Sequence, residues 1–321
     1  MKKIISILLC VLLLLGSVFT LASCNTDDDS DVDVNAQDYA DALAFLECGN
    51  YEDAQALFEK LGDYKDSAEY LSRFYYMPTS FEYDLIGKNG TNEITYNDNN
   101  LPATETVERE DARGLIEFIY DSDGNIITQR VTNNGYVSAY AYTYNSQGKR
   151  IGAVYSDQDE NSASYVFEYD DNGNLIKQTY LGTDGITYEY YFGYDANGNM
   201  ITQEGIFEGI SQYTLAIVYT YDDNGRVISE VGTYSDDTQE SYEYTYDAKG
   251  NCIKEIFTDY DGFEYCYDFT YDDNGNMVEE VCTYLDGTVQ YVKIVYELMY
   301  IPCGITEGTD LFFNEFWASR L

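Results

Sequence analysis

A tyrosine-led turn motif returns about every 25 residues through most of this chain, and that period restricts the fold more than any other feature. The motif reads Tyr120-Asp121-x-x-Gly124, Tyr144-Asn145-x-x-Gly148, Tyr169-Asp170-x-x-Gly173 and Tyr194-Asp195-x-x-Gly198. It continues as Tyr221-Asp222-x-x-Gly225, Tyr246-Asp247-x-x-Gly250 and Tyr271-Asp272-x-x-Gly275. A degenerate copy starts at Tyr96, and Tyr296 stands where a last one would begin. From Tyr96 to Tyr296 the steps are 24, 24, 25, 25, 27, 25, 25 and 25 residues. A fixed period of this size means stacked, near-identical supersecondary units.

Each unit has a physical reading. Aromatic residues alternate ahead of the turn, as in Tyr140/Tyr142/Tyr144, Tyr165/Phe167/Tyr169 and Tyr242/Tyr244/Tyr246. Period two places them on one face of a strand, with residues such as Glu243 and Thr245 on the other. Asp-x-x-Gly suits a type I turn, with Asp at its first position and Gly where the backbone turns left-handed. A return strand follows, and a second hairpin signal ends it, as at Asn134-Gly135, Asp261-Gly262 and Asp286-Gly287. The expected fold is therefore mainly β: a curled antiparallel β-meander of repeats with a small N-terminal α-helical module. About sixteen strands at roughly 4.8 Å spacing would span some 75 Å. Open sheets beyond about ten strands curl or split, so the tyrosine face is expected to be concave or covered.

The helical module occupies residues 37–78, ahead of a repeat domain at 80–300. Apolar stripes at helical spacing run through Ala40, Leu43 and Ala44, then Ala54, Leu57 and Phe58, then Ala68, Leu71, Phe74 and Tyr75. Breaks at Gly49-Asn50 and Gly62-Asp63 divide them into three short helices. Gly49-x-Tyr51-x-x-Ala54-x-x-x-Phe58 resembles the middle of a tetratricopeptide repeat. That resemblance implies two closely packed helices, here as a spacer more than a peptide groove.

The start of the chain reads as an export signal. Lys2-Lys3 precede an apolar run from Ile4 to about Leu15, and small residues lead to Leu21-Ala22-Ser23-Cys24. The last four residues resemble the lipobox of bacterial lipoproteins. The resemblance implies removal of residues 1–23, lipidation of the Cys24 thiol with palmitate-type chains, and an acidic tether at 24–36. The formal charge is −41, and losing residues 1–23 leaves 15 basic against 58 acidic residues, or −43. Such a charge repels nucleic acid. Residues 301–321, with Phe312, Phe313, Phe316 and Trp317, read as a cap over the open sheet edge.

The repeats themselves resemble the YD-repeat (Rhs-type) family, over about residues 90–296. Large members of that family build a β-shell around a toxic C-terminal domain, but only 25 residues follow Tyr296 here. The chain has no histidine. That removes Ser-His-Asp and Cys-His catalysis and His-based zinc sites, and no enzymatic activity is expected. No cofactor is expected either; the acidic turns leave open only weak calcium binding, because their Gly is fourth where an EF-hand loop has it sixth. The expectation is a lipid-anchored, extracytoplasmic cell-surface protein with a non-catalytic binding or scaffolding role. Its partners would be the membrane, through the anchor, and a surface protein or glycan. The alternative is a structural or toxin-associated fragment of a YD-repeat system.

Overall fold

A computed structural model describes residues 34–302, apart from 86–87, 110–111, 184, 197 and 208–209. The chain divides into two compact units, with boundaries between Met77 and Pro78 and between Tyr296 and Glu297.

The smaller unit contains α1 (Val34–Glu47), α2 (Tyr51–Leu61) and α3 (Ser67–Leu71). Ala42 and Ala54 have no exposed surface, and these small side chains let α1 and α2 pack closely. Phe58 is fully buried and stacks on Tyr70, with ring centroids 4.7 Å apart, while Tyr39 meets its edge. Phe74 and Tyr300 complete the cluster, and the Ile301 N–H donates to the Arg73 carbonyl at 2.8 Å. Cys48 is disulfide-bonded, whereas Cys252, Cys266 and Cys282 carry free thiols.

Strands make up the larger unit. The first six are β1 (Phe74–Leu85), β2 (Lys88–Tyr96), β3 (Pro102–Arg109), β4 (Arg113–Tyr120), β5 (Ile126–Asn133) and β6 (Tyr136–Tyr144). Next come β7 (Arg150–Asp157), β8 (Ser162–Tyr169), β9 (Leu175–Leu181), β10 (Thr187–Tyr194), β11 (Met200–Phe207) and β12 (Ile210–Tyr221). The last six are β13 (Val227–Tyr234), β14 (Gln239–Tyr246), β15 (Cys252–Thr258), β16 (Glu264–Tyr271), β17 (Met277–Thr283) and β18 (Val289–Tyr300). Each strand pairs antiparallel with the next, and β18 pairs with β1. At that seam the Thr79 hydroxyl donates to the Val295 carbonyl at 3.2 Å, and the Tyr291 hydroxyl donates to Glu82 Oε1 at 3.1 Å. The meander thus curls until it closes into an eighteen-strand barrel.

Closure changes two details of the expected meander. The sheet has eighteen strands where about sixteen were expected, because the β1–β2 hairpin precedes Tyr96. Phe74 and Tyr75 continue a helical stripe in sequence, yet they open β1, since pairing with β18 outweighs a short local period. Of the cap expected at residues 301–321, only Ile301 and Pro302 are among the described residues. Phe312, Phe313, Phe316 and Trp317 lie outside the described residues.

The repeat turns have one geometry. At Asp170, Oδ1 accepts from the N–H groups of Asn172 (2.9 Å) and Asn174 (2.8 Å), and Oδ2 accepts from the Asn174 amide at 3.0 Å. The Gly173 N–H donates to the Asp170 carbonyl at 3.0 Å, with Gly173 at φ +88°. Such a φ disfavours any residue with a Cβ. Arg226 stands where five copies have Asn, and its guanidinium reaches the same carboxylate, Nε to Asp222 Oδ2 at 2.8 Å.

A tyrosine ladder joins successive units. The hydroxyls of Tyr120, Tyr144, Tyr169, Tyr194, Tyr246 and Tyr271 each donate to the carbonyl of the residue that faces the preceding unit's tyrosine. Tyr144 reaches Ile126, Tyr169 reaches Arg150, Tyr194 reaches Leu175 and Tyr271 reaches Cys252, each at 2.7 Å. In β12 this bond comes from Tyr219, which donates to Met200 at 2.8 Å, and not from Tyr221. Tyr219 follows Tyr194 by 25 residues, so the 27-residue step marks a strand lengthened by two at its turn.

The pairing registers sort the side chains onto two walls. On the aromatic wall Tyr142 and Phe167 are 5% and 8% exposed; on the other, Ile119, Val154, Val218 and Val295 are 51–67% exposed. A cavity spanning β14 to β18 and β1 lies against the aromatic wall, so that wall is the concave, lumenal one. Cys282 faces the lumen and Cys266 the outside. A charged, water-soluble maleimide is expected to modify Cys266 well before Cys282, as read by peptide mapping. Faster labelling of Cys282 would invert the two walls.

Candidate lumenal binding site

One lumenal position on the return strands is polar in nearly every repeat. Glu105 faces Ile94, Gln129 faces Phe118, Gln178 faces Phe167 and Gln203 faces Phe192. Glu230 faces Tyr219, Glu255 faces Tyr244 and Glu280 faces Phe269. Ala153, facing Tyr142, is the exception. The lumen therefore carries a belt in which Glu or Gln alternates with apolar, mostly aromatic, side chains. Amides occupy the arc from β5 to β11, and carboxylates occupy β13, β15, β17 and β3.

The carboxylate arc is electrostatically loaded. Glu230, Glu255 and Glu280 stand on every second strand, about 9–10 Å apart by strand spacing. Burial pushes all three carboxyls above their ordinary range, and neighbouring acids add to it: Glu240 for Glu230, Glu230 for Glu255 and Glu255 for Glu280. Burial likewise raises the phenols of Tyr244 and Tyr267. Tyr234 rises to about 12, again through burial first and Glu240 second. Glu105 differs, because the buried Asn92 amide donates to it. On the amide side the Arg150 guanidinium lies 4.7 Å from the Phe167 ring and 5.5 Å from Tyr142.

Beside this arc lies a cavity of about 520 Å³. Its walls include the rings of Tyr242, Phe257, Tyr267 and Phe269 and the carboxyls of Glu255 and Glu280. Among the described residues no Lys or Arg lines it. Tyr242 and Phe257 stack with centroids 4.7 Å apart. Among the described residues no group of three or more His, Cys, Asp or Glu is arranged to hold a metal ion.

The residues singled out from sequence go elsewhere. Asp121, Asp170, Asp195, Asp222, Asp247 and Asp272 lie in the turns between strands, where the turn's own N–H groups occupy their carboxylates. Gly124, Gly173, Gly198, Gly225, Gly250 and Gly275 all have φ between +80° and +97°. Tyr120, Tyr169, Tyr194, Tyr246 and Tyr271 form the ladder, and Tyr221 stands beside it, 37% exposed. None of these lines the cavity. The belt was legible as a second period: Gln178, Gln203, Glu230, Glu255 and Glu280 recur at steps of 25, 27, 25 and 25. Read by itself, that period is the ordinary exposed polar position of a half-buried strand.

No family model and no curated protein matches the chain. A porin-like protein from Bacteroides uniformis is a similar solved structure, at 13% identity and a TM-score of 0.41, covering 68% of this chain and 96% of its own. A porin-like protein from Bacteroides vulgatus is similar at 10% identity and a TM-score of 0.34, covering 70% and 99%. At those scores the fold rests on this chain's own strand pairing. The resemblances drawn from sequence are corrected accordingly. In place of a YD-repeat (Rhs-type) shell the repeats build a closed barrel, and the tetratricopeptide-like residues Ala54 and Phe58 are the core of one small helical unit. The expected palmitate-type lipid anchor, the membrane partner it would supply and the lipid-anchored cell-surface location are corrected too. The strand pairing closes the sheet into a barrel where an open repeat sheet held on a tether was expected; Cys24 lies outside the described residues.

Proposed function

We propose that this chain is a non-catalytic binding barrel that takes a small ligand into its lumen. The observation that carries the reading is the 520 Å³ cavity, where aromatic faces and hydrogen-bonding carboxyls converge on one concave wall. Concave, mostly apolar sites with a few fixed polar groups are the usual form of small-ligand pockets. Repeats place these side chains in register, so the belt offers rings for stacking and Glu or Gln for hydrogen bonds at a spacing set by the strands.

The outer wall supports the same reading. A barrel that spans a bilayer carries an apolar band on its outside. Here the outward positions include Glu117, Arg130, Glu168, Lys177, Glu243, Lys254, Asp268 and Glu279, and Lys177 pairs with Glu189 at 2.7 Å. Hydrocarbon would have to take up those charges, so the reading sets this wall in water.

Two neighbouring substitutions test it. Glu280 faces the lumen and Glu279 the outside, on one strand. Saturation-transfer NMR of the full chain against a fragment library is expected to give binders that Glu280→Trp abolishes and Glu279→Trp leaves. A library without binders, or binders indifferent to both substitutions, would reject a lumenal site.

A further inference from the structure

We infer that the cavity between β14 and β1 is a site for an organic cation, an alkylated ammonium group held against aromatic faces and two carboxylates. This rests on the reading of the barrel as a lumenal binder and names the ligand's chemistry. Tyr242, Phe257, Tyr267 and Phe269 offer ring faces, whose negative quadrupoles attract a cation within about 6 Å. Glu255 and Glu280 stand on the same wall.

Charge balance separates a cation from other ligands of that size. Among the described residues the cavity is lined by two carboxyls and by no Lys or Arg, inside a chain of formal charge −41. Elsewhere on the lumenal wall some aromatic rings already have cations: Arg150 lies over Phe167 and Tyr142, and Arg109 lies 5.4 Å from the Tyr83 ring. Among the cation–ring contacts of the described residues none involves Tyr242, Phe257, Tyr267 or Phe269, while Tyr291, which also lines the cavity, has Lys293 4.8 Å from its ring. An anionic ligand would meet two like charges, and a neutral one would leave them partly dehydrated without compensation. A cation with methyl groups satisfies the carboxylates and covers the rings together. Burial holds both carboxyls above their ordinary range, and a neighbouring acid adds to it, Glu230 for Glu255 and Glu255 for Glu280; a positive charge offsets that repulsion.

Calorimetric titration of the full chain with choline, and with its neutral isostere 3,3-dimethylbutan-1-ol, tests this at 0.15 M salt, where diffuse surface attraction is screened. Choline is expected to bind ~10-fold or more tighter than the isostere, a factor typical of a desolvated cation–ring site. Glu255→Gln/Glu280→Gln should remove that preference, while the outward Glu279→Gln keeps it. Equal binding of the two probes would overturn the cation and leave the lumenal site standing. The same holds if choline does not bind while library fragments still bind in a Glu280→Trp-sensitive way. Equal losses from Glu279→Gln and from the double substitution would also overturn it, by showing diffuse attraction. Absence of every binder would remove the lumenal reading as well.

Discussion

Replacing Phe58 by Ala is expected to cost the helical unit about 3–5 kcal/mol, the usual loss for a fully buried aromatic ring. Phe58 has no exposed surface and touches Tyr39, Tyr70 and Phe74 through its ring. Removing it leaves a void that Tyr70 cannot fill from its stacked position without giving up its contacts to Tyr39 and Tyr300. Hydrogen exchange on α1 and α2 amides should rise steeply in Phe58→Ala and stay near wild type in Glu59→Ala, whose side chain is exposed. A loss below about 1 kcal/mol would mean that Phe58 is not the centre of this core.

The second large effect is a pH-dependent gain. Glu230→Gln/Glu255→Gln/Glu280→Gln should raise the melting temperature at pH 7, by about 2–4 °C for each kcal/mol relieved in a domain of this size. Each carboxyl titrates higher when folded than when unfolded, so the folded state favours its protonated form. Below the ordinary glutamate range both states are protonated and the glutamates cost nothing. As pH rises through that range and on through the raised values, the folded protein loses stability. Wild type and triple variant should therefore coincide near pH 4 and separate toward pH 7.

The turn aspartates act with the opposite sign. The Arg226 backbone N–H and guanidinium hold Asp222 down to about 2, and the Asn174 N–H holds Asp170 below its ordinary value. Their stabilisation is present above the unfolded value and disappears as pH falls through the folded one. Maximum stability is thus expected on the acid side of neutral but above the range where these turns protonate. Equal differences between variant and wild type at pH 4 and pH 7 would show that Glu230, Glu255 and Glu280 are not buried acids.

What could be read in the sequence was local. Alternation in Tyr140/Tyr142/Tyr144 gives one wall of a strand, and Asp170-x-x-Gly173 gives a turn, because each depends on residues within a few positions of each other. The same locality explains the errors. Phe74 and Tyr75 continue a helical stripe over a few residues, and only pairing with β18, more than 200 positions away, makes them strand. Tyr221 carries the motif, while Tyr219 carries the bond, because register with Met200 and not motif position decides which hydroxyl meets the carbonyl.

The amino-acid sequence by itself determined the repeat, its turns and the aromatic face, since a 25-residue period fixes a supersecondary unit wherever the unit stands. Only the tertiary structure decided that the sheet closes, because closure depends on the twist accumulated over eighteen strands and on the meeting of β1 with β18. Closure in turn gave Glu230, Glu255 and Glu280 their significance. On an open flat sheet they would be solvated carboxylates; on the concave wall of a barrel they share one enclosed lumen with the rings beside them.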